Sequence, residues 1–99
     1  MALKFRLQVM SLIRVLYDDQ VNSVFLQGDE GEYELLPNHY PLIGALVDSE
    51  IKVANQKPIP IKTGVVMFDN NNCIILVEEI NIESLLFPGQ PSAPGGSKK

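Results

Sequence analysis

Four carboxylates, Asp29, Glu30, Glu32 and Glu34, lie between Gly28 and Leu35 with no Lys or Arg among them. Glu30 and Glu32 are two positions apart, so on an extended chain they share a face and have the form of a carboxylate pair for acid–base work. Such a pair needs one member held protonated near neutral pH, which takes burial in a dry site. The stretch GDEGEYE supplies no such cover, so the cluster reads as a solvated acidic turn and not as a catalytic dyad. Shortly after it comes the one histidine, His39, between Pro37 and Pro41. With one histidine and one cysteine, neither a His-rich site nor a thiolate cage can form. His39 suits a turn or interface residue, hydrogen-bonded through one ring nitrogen, better than a general base. Cys73 opens the apolar run CIILV, where a buried strand thiol is expected and not a nucleophile. No G-x-S-x-G, Walker loop or dinucleotide fingerprint occurs. The expectation is a non-catalytic chain with no metal and no cofactor.

The elements that must position these residues read as strands. Leu3, Phe5, Leu7 and Val9 alternate with Lys4, Arg6 and Gln8, the period of a half-buried strand. Further apolar runs follow at Leu12 to Tyr17, Val21 to Leu26, Leu42 to Val47, Ile51 with Val53, Ile59 with Ile61, Val65 to Phe68, Cys73 to Val77, and Ile80 with Ile82. Turn signals stand between them: Asp18-Asp19-Gln20, Asp48-Ser49-Glu50, Thr63-Gly64 and the hairpin loop Asp69 to Asn72. Pro58 and Pro60 cannot donate to a ladder, which places their strand at an edge. The stretch Gly28 to Ile43, with its glycines and prolines, reads as a path set residue by residue and not as a regular element. No helix of three turns is expected. The pattern is all-β: one β-sandwich or flattened barrel of about nine to ten short strands over residues 1–84. Residues 85–99 hold the run FPGQPSAPGGSKK and read as a flexible Pro/Gly tail.

The 99 residues suit one domain, and a single cysteine excludes an internal disulfide framework and fits a reducing compartment. The net charge is −4, and two of the eight bases, Lys98 and Lys99, are in the tail. So acidic a body will not hold nucleic acid through phosphate contacts; it suits a positively charged partner. Lys4, Arg6 and Arg14 interrupt the N-terminal segment, so neither a signal sequence nor a span is expected there. That reading places the protein in the cytosol or on a cytosolic membrane face, held there by partners.

The order G-D-E-G-E, then L-L-P-N-H-Y-P-L-I, the E-I-K-V strand and K-T-G before a hairpin resembles the epsilon subunit of F-type ATP synthase. The family block G-x-x-G-E-x-G-h-L-P-x-H-x-P-h-h, with h apolar, is carried here by Gly28, Gly31, Glu32, Leu35, Leu36, Pro37, His39, Pro41, Leu42 and Ile43. Three positions depart from it. Glu34 replaces a glycine. Asn38 replaces another and suits a left-handed backbone. Gly64-Val65 stands for a Gly-Gly pair. Family members usually carry a further domain of two helices after the sandwich, and here a Pro/Gly tail stands in that place.

The resemblance implies a non-catalytic central-stalk, or rotor, subunit that links gamma to the c ring and supports coupling of proton transport to ATP synthesis. It would be a peripheral membrane protein on the cytoplasmic face of a bacterial inner membrane, less readily an organellar one. The implied c-ring contact is Glu30, Gly31 and Glu32, with Asn38 and His39 nearby, and the acids would meet the basic loops of the ring. The implied gamma contact is Ser11, Leu42, Ile43 and Gly44. The alternative is a small β-sandwich adaptor that binds a basic protein or peptide. A carbohydrate-binding sandwich is disfavoured because no Trp and only three Tyr are available as stacking platforms.

Overall fold

Alternation along FRLQVM sends Phe5, Leu7 and Val9 inward and Arg6 outward, and this strand, β1 (Phe5–Met10), lies inside the larger sheet. The computed structural model describes residues 2–79. Among them the remaining strands are β2 (Val15–Val21), β3 (Val24–Gly28), β4 (Gly31–Leu35), β5 (Leu42–Leu46), β6 (Ser49–Ile51), β7 (Ile59–Asp69) and β8 (Asn72–Glu79). Five of them pair in the order β2-β1-β8-β7-β5, and β6 also pairs with β7. Strands β3 and β4 form a second, two-stranded sheet. A bridge between Phe25 and Lys52, and the bond from Val47 N–H to the Gln27 carbonyl at 3.1 Å, tie this hairpin to the larger sheet.

The core between the layers is apolar. Phe5, Leu7 and Val9 meet Val66 and Phe68 of β7, Cys73, Ile75 and Val77 of β8, and Val24, Leu26 and Leu35 from the hairpin. Phe5 and Phe68 pack edge to face with ring centroids 5.2 Å apart, a favoured aromatic geometry. No polar side chain is buried among the described residues, so burial of apolar area carries the fold. Each fully buried Leu, Ile or Phe contributes about 1.5–3 kcal/mol.

Several expected boundaries move. The turn expected at Asp18-Asp19-Gln20 is continuous strand, because these residues pair with Gln8, Leu7 and Arg6 of β1. The chain instead reverses at Ser11 to Arg14, where Leu12 and Ile13 were expected to be strand. Cross-strand pairing has overridden local turn propensity. Gly28 to Ile43 is more regular than its composition suggests. Its acidic part is the hairpin β3–β4, closing with Gly28 opposite Gly31, whose φ of 123° needs glycine. The expected turn at Asp48-Ser49-Glu50 gives Ser49 and Glu50 to β6. Thr63-Gly64 does not end a strand; β7 runs eleven residues through it, with a bulge between Ile61 and Thr63.

The Asp69-to-Asn72 hairpin is as expected: Asn70 and Asn71 have φ of 51° and 59°, the left-handed pair of a type I′ turn. The strand expected at an edge from Pro58 and Pro60 is interior instead: β7 has β8 on one side and β5 and β6 on the other, and Pro60 is tolerated near its start, opposite Glu50 of β6. The described residues hold eight strands against the nine to ten expected. The expected Ile80–Ile82 strand and the 85–99 tail lie outside the described residues.

Candidate partner-binding surfaces

The acidic turn caps one end of the sandwich. Asp29 and Glu30 are exposed at the tip of the β3–β4 hairpin, next to Gly28 and Gly31. Glu32 stands opposite Gln27 on the outer side of the hairpin. Its carboxylate lies 3.4 Å from Lys52 Nζ, a half-exposed ion pair that solvent screens. Glu34 stands opposite Phe25 and is exposed. The hairpin tip lies beside Ala45 to Val47, away from the β7–β8 turn.

Asn38 and His39 lie at the other end. Strand β4 carries the chain away from the acidic tip for about 13 Å, at roughly 3.3 Å per residue over its four steps. The chain then turns beside Asn70 and Asn71. Asn38 has φ of 70°, the left-handed conformation expected of it. Asn38 N–H donates to Asn71 Oδ1 at 2.7 Å, Asn71 Nδ2 donates to Asn38 Oδ1 at 3.1 Å, and Asn38 Nδ2 donates to the Ala2 carbonyl at 2.8 Å. These bonds pin the Pro37 turn, the β7–β8 turn and the N-terminal segment together. The His39 Nδ1 atom is 2.6 Å from the Tyr40 carbonyl oxygen. A carbonyl only accepts, so Nδ1 carries the proton in this bond. The ring also packs edge to face on Phe68 with centroids 5.6 Å apart. This is the one-nitrogen role expected of the histidine. The five residues expected at one c-ring contact therefore fall into two groups at opposite ends of β4. Glu30, Gly31 and Glu32 are brought together; Asn38 and His39 are not brought to them.

The residues expected to touch gamma also divide. In β5, Leu42 and Gly44 face inward, Leu42 against the core and Gly44 toward Val66 and Tyr33. Ile43 faces outward and is 77% exposed. Ser11 holds the β1–β2 turn: its Oγ accepts from Ile13 N–H at 3.2 Å and from Arg14 N–H at 3.3 Å.

Around Ile43 the outer face of the larger sheet carries residues that were not singled out. Register places Val15, Met10, Leu76 and Val65 side by side across β2, β1, β8 and β7, ending at Ala45 of β5. A second row runs Ile74, Met67, Ile43 across β8, β7 and β5. The second row turns polar at Gln8 of β1 and Asp18 of β2, and polar residues bound the rows further out: Arg6, Asn72 and Asp69 on one side, Glu78 and Thr63 on the other. Arg6 is held by Asp18, with Nε to Oδ1 at 3.1 Å and Nη2 to Oδ2 at 3.0 Å. The hydrogen bond from Arg6 holds the Asp18 carboxyl below its ordinary pKa. The sequence signal for the apolar rows was present in VVMF and CIILV, apolar at consecutive positions where a strand with one wet face would alternate.

Catalytic parts do not assemble. No group of three or more His, Cys, Asp or Glu could hold a metal among the described residues. Cys73 is buried and its thiol is pushed up to about 12 by that burial, far from the thiolate a nucleophile needs. The depression lined by Asn38, His39, Pro41, Asp69, Asn70 and Asn71 is open and polar.

Comparison with known proteins gives a consistent assignment. The family described as ATP synthase, Delta/Epsilon chain, beta-sandwich domain matches residues 4–82. The chain is 34% identical over 83 residues to the chloroplastic ATP synthase epsilon chain of Adiantum capillus-veneris, covering 81% of this chain and 63% of that one. It is 34% identical over 79 residues to the epsilon chain of Campylobacter curvus, covering 76% and 61%. The chain thus spans under two thirds of the length of these relatives. In fold it is similar to a chain of the Euglena gracilis mitochondrial ATP synthase, with a TM-score of 0.69 and 17% identity over 87% of this chain and 61% of that one. It is also similar to a chain of the Tetrahymena thermophila mitochondrial ATP synthase central stalk and c-ring, with a TM-score of 0.63 and 11% identity over 89% and 74%. With four fifths of its residues inside that match and the sandwich built as the match describes, the chain belongs to the ATP synthase delta/epsilon β-sandwich family.

Proposed function

We propose that this chain is a non-catalytic central-stalk subunit of the F-type ATP synthase, with residues 1–84 as its sandwich domain. Gamma is held on the outer face of the larger sheet, and the c ring meets the β3–β4 tip. The observation that carries this reading is the two-row apolar stripe around Ile43. The opposite face of the same sheet already fills the core, so among the described residues the stripe has no packing partner, and exposed contiguous apolar surface marks a protein interface. At the tip, Asp29, Glu30 and Gly31 are the free part of the acidic turn, because Glu32 shares its charge with Lys52. Complementary charge there sets register and association rate on a basic ring surface more than affinity. Asn38 and His39 serve as the scaffold that fixes the other end, where Asn71 and Phe68 receive them. In this role the protein is peripheral to the membrane, on the cytoplasmic face in a bacterium, through the complex alone.

Co-expression with gamma and with the c ring tests the assignment. Wild type co-purifies with gamma. Ile43→Asp and Leu76→Glu, both at exposed positions, lose gamma by at least tenfold in retained complex while melting as wild type does. Recovery of both variants with gamma at wild-type levels removes the outer face from the interface. A chain that captures only a basic protein unrelated to the synthase supports the adaptor reading instead.

A further inference from the structure

The base that meets the acidic hairpin is fixed there by its backbone. Lys52 lies just beyond β6, and its main chain is bound to β3 twice. Phe25 N–H donates to the Lys52 carbonyl at 2.9 Å, and Lys52 N–H donates to the Phe25 carbonyl at 3.1 Å. Directly opposed residues of an antiparallel bridge share a face, so the Lys52 side chain stands on the outer face with Phe25. The other neighbour of Phe25 in that row is Glu34 of β4. The ammonium does not stay in the row. It reaches diagonally toward the turn and lies 3.4 Å from Glu32 Oε2.

An exposed ion pair of this kind adds little stability and opens readily. Its electrostatic consequence does not depend on its lifetime, because the two backbone bonds keep the ammonium beside Glu32 whether or not the pair is closed. Charges fade over about 8 Å at physiological ionic strength, more than twice the separation of this pair. A partner approaching from further out therefore meets a neutral pair in the middle of the hairpin. Asp29, Glu30 and Glu34 make no ion pair among the described residues. Asp29 and Glu30 are adjacent at the turn, whereas Glu34 stands alone, about 7 Å beyond Glu32 along β4. With Glu32 cancelled, the free charge of the hairpin is concentrated at its tip.

We propose that Lys52 is the specificity-determining residue of the acidic tip: by cancelling Glu32 it seats a basic loop of the c ring end-on against Asp29 and Glu30, and not along the flank of β4. This rests on the reading of the tip as the ring contact. Without Lys52, Glu32 and Glu34 join the turn in one acidic strip, and a basic loop has several registers of similar energy to choose from. Fixing one register is what a charge pattern contributes to an interface, more than affinity.

Binding of the full chain, assembled with gamma, to purified c ring tests it, with rates taken across a salt series and each variant shown to melt as wild type does. Lys52→Gln keeps both backbone bonds and unmasks Glu32. Association is expected to be about two to three times faster at about 20 mM salt and to fall more steeply as salt rises. Lys52→Arg and the double variant Glu32→Gln/Lys52→Gln are expected to restore wild-type rates. Lys4→Gln makes the same change in net charge at the opposite end, where Asn38 holds Ala2, and is expected to change nothing. Benzoylphenylalanine at Gln27, exposed and opposite Glu32, reports the seating: Lys52→Gln should raise its yield of ring adducts about threefold. Wild-type rates in Lys52→Gln, while Glu30→Gln slows association, overturn the role of Lys52 and leave the tip as the contact. Equal changes in Lys52→Gln and Lys4→Gln assign the effect to net charge and overturn it too, as do equal adduct yields from Gln27. If neither Glu30→Gln nor Lys52→Gln alters binding, the ring does not meet the tip and both readings fall.

Discussion

Gly64 faces the carbonyl of Leu76 so closely that a Cβ built on it would stand 2.8 Å from that oxygen and 3.1 Å from Val77 Cγ1. Backbone cannot move aside as a flexible side chain can, so Gly64→Ala forces β7 away from β8. We expect a loss of about 1–3 kcal/mol, read as a lower urea midpoint with unchanged slope. Gly44→Ala is the control. A Cβ there meets its nearest atom at 3.5 Å, ordinary contact, and stability should stay within about 0.5 kcal/mol. Equal losses at both sites would refute the close approach as the cause.

Asn38 combines a left-handed backbone with a side chain that bonds to Ala2 and Asn71. Asn38→Gly loses the side-chain bonds and keeps the backbone; Asn38→Ala loses both. The difference between them isolates the backbone cost, expected at about 1 kcal/mol with Ala the worse. Thermal or urea unfolding of the pair measures it, and an Ala variant as stable as the Gly variant contradicts the assignment.

The Arg6–Asp18 pair makes stability depend on pH. Its hydrogen bond lowers the Asp18 pKa from an ordinary 3.8 in the folded chain. A group with a depressed folded pKa stabilises above its unfolded value and loses that contribution as pH falls through the folded value. The gap in midpoint between wild type and Arg6→Gln should therefore be full above about pH 5 and close progressively below pH 4. Both side chains are exposed, so 1 M salt should shrink the gap at neutral pH. A gap that persists at pH 2 would assign the effect to packing of the arginine stem.

Burial of Cys73, with its thiol pushed up to about 12, predicts that iodoacetamide at pH 8 labels the folded chain only through opening. The labelling rate should rise steeply as urea approaches the unfolding midpoint. Labelling of native protein as fast as of a free thiol would place Cys73 at the surface.

The acidic tip and the stalk role separate by charge reversal. Glu30→Lys should slow association with the c ring and weaken proton-coupled ATP synthesis in the assembled enzyme, with the isolated sandwich still folded. Glu32→Lys also removes the ion pair with Lys52, so a smaller part of its effect belongs to the ring. Rates measured across a salt series check this: a steered contact loses its salt dependence when Glu30 is reversed.

Local chemistry accounts for what was legible in the sequence. Period-two alternation in FRLQVM marked β1, and two consecutive asparagines marked the β7–β8 turn, because only a few residue types tolerate a left-handed backbone. The P-x-H-x-P spacing of Pro37, His39 and Pro41 carries the family resemblance in the sequence itself. The emptiness of the catalytic inventory was a matter of counting. Asn38, substituted for a glycine, adopts the conformation that substitution requires.

What the tertiary structure decided is long-range pairing. Asp18 and Asp19 have the composition of a turn, yet β1 offers partners across the strand, and β2 runs through them. Leu42, Ile43 and Gly44 are adjacent in sequence, but strand geometry sends only Ile43 outward. Glu30 and His39 are nine positions apart in the chain, yet β4 puts them at opposite ends of the sandwich. The apolar stripe needs the parallel pairing of β1 with β8, residues more than sixty apart. Register is set by packing of the other face, and no single strand's sequence contains it.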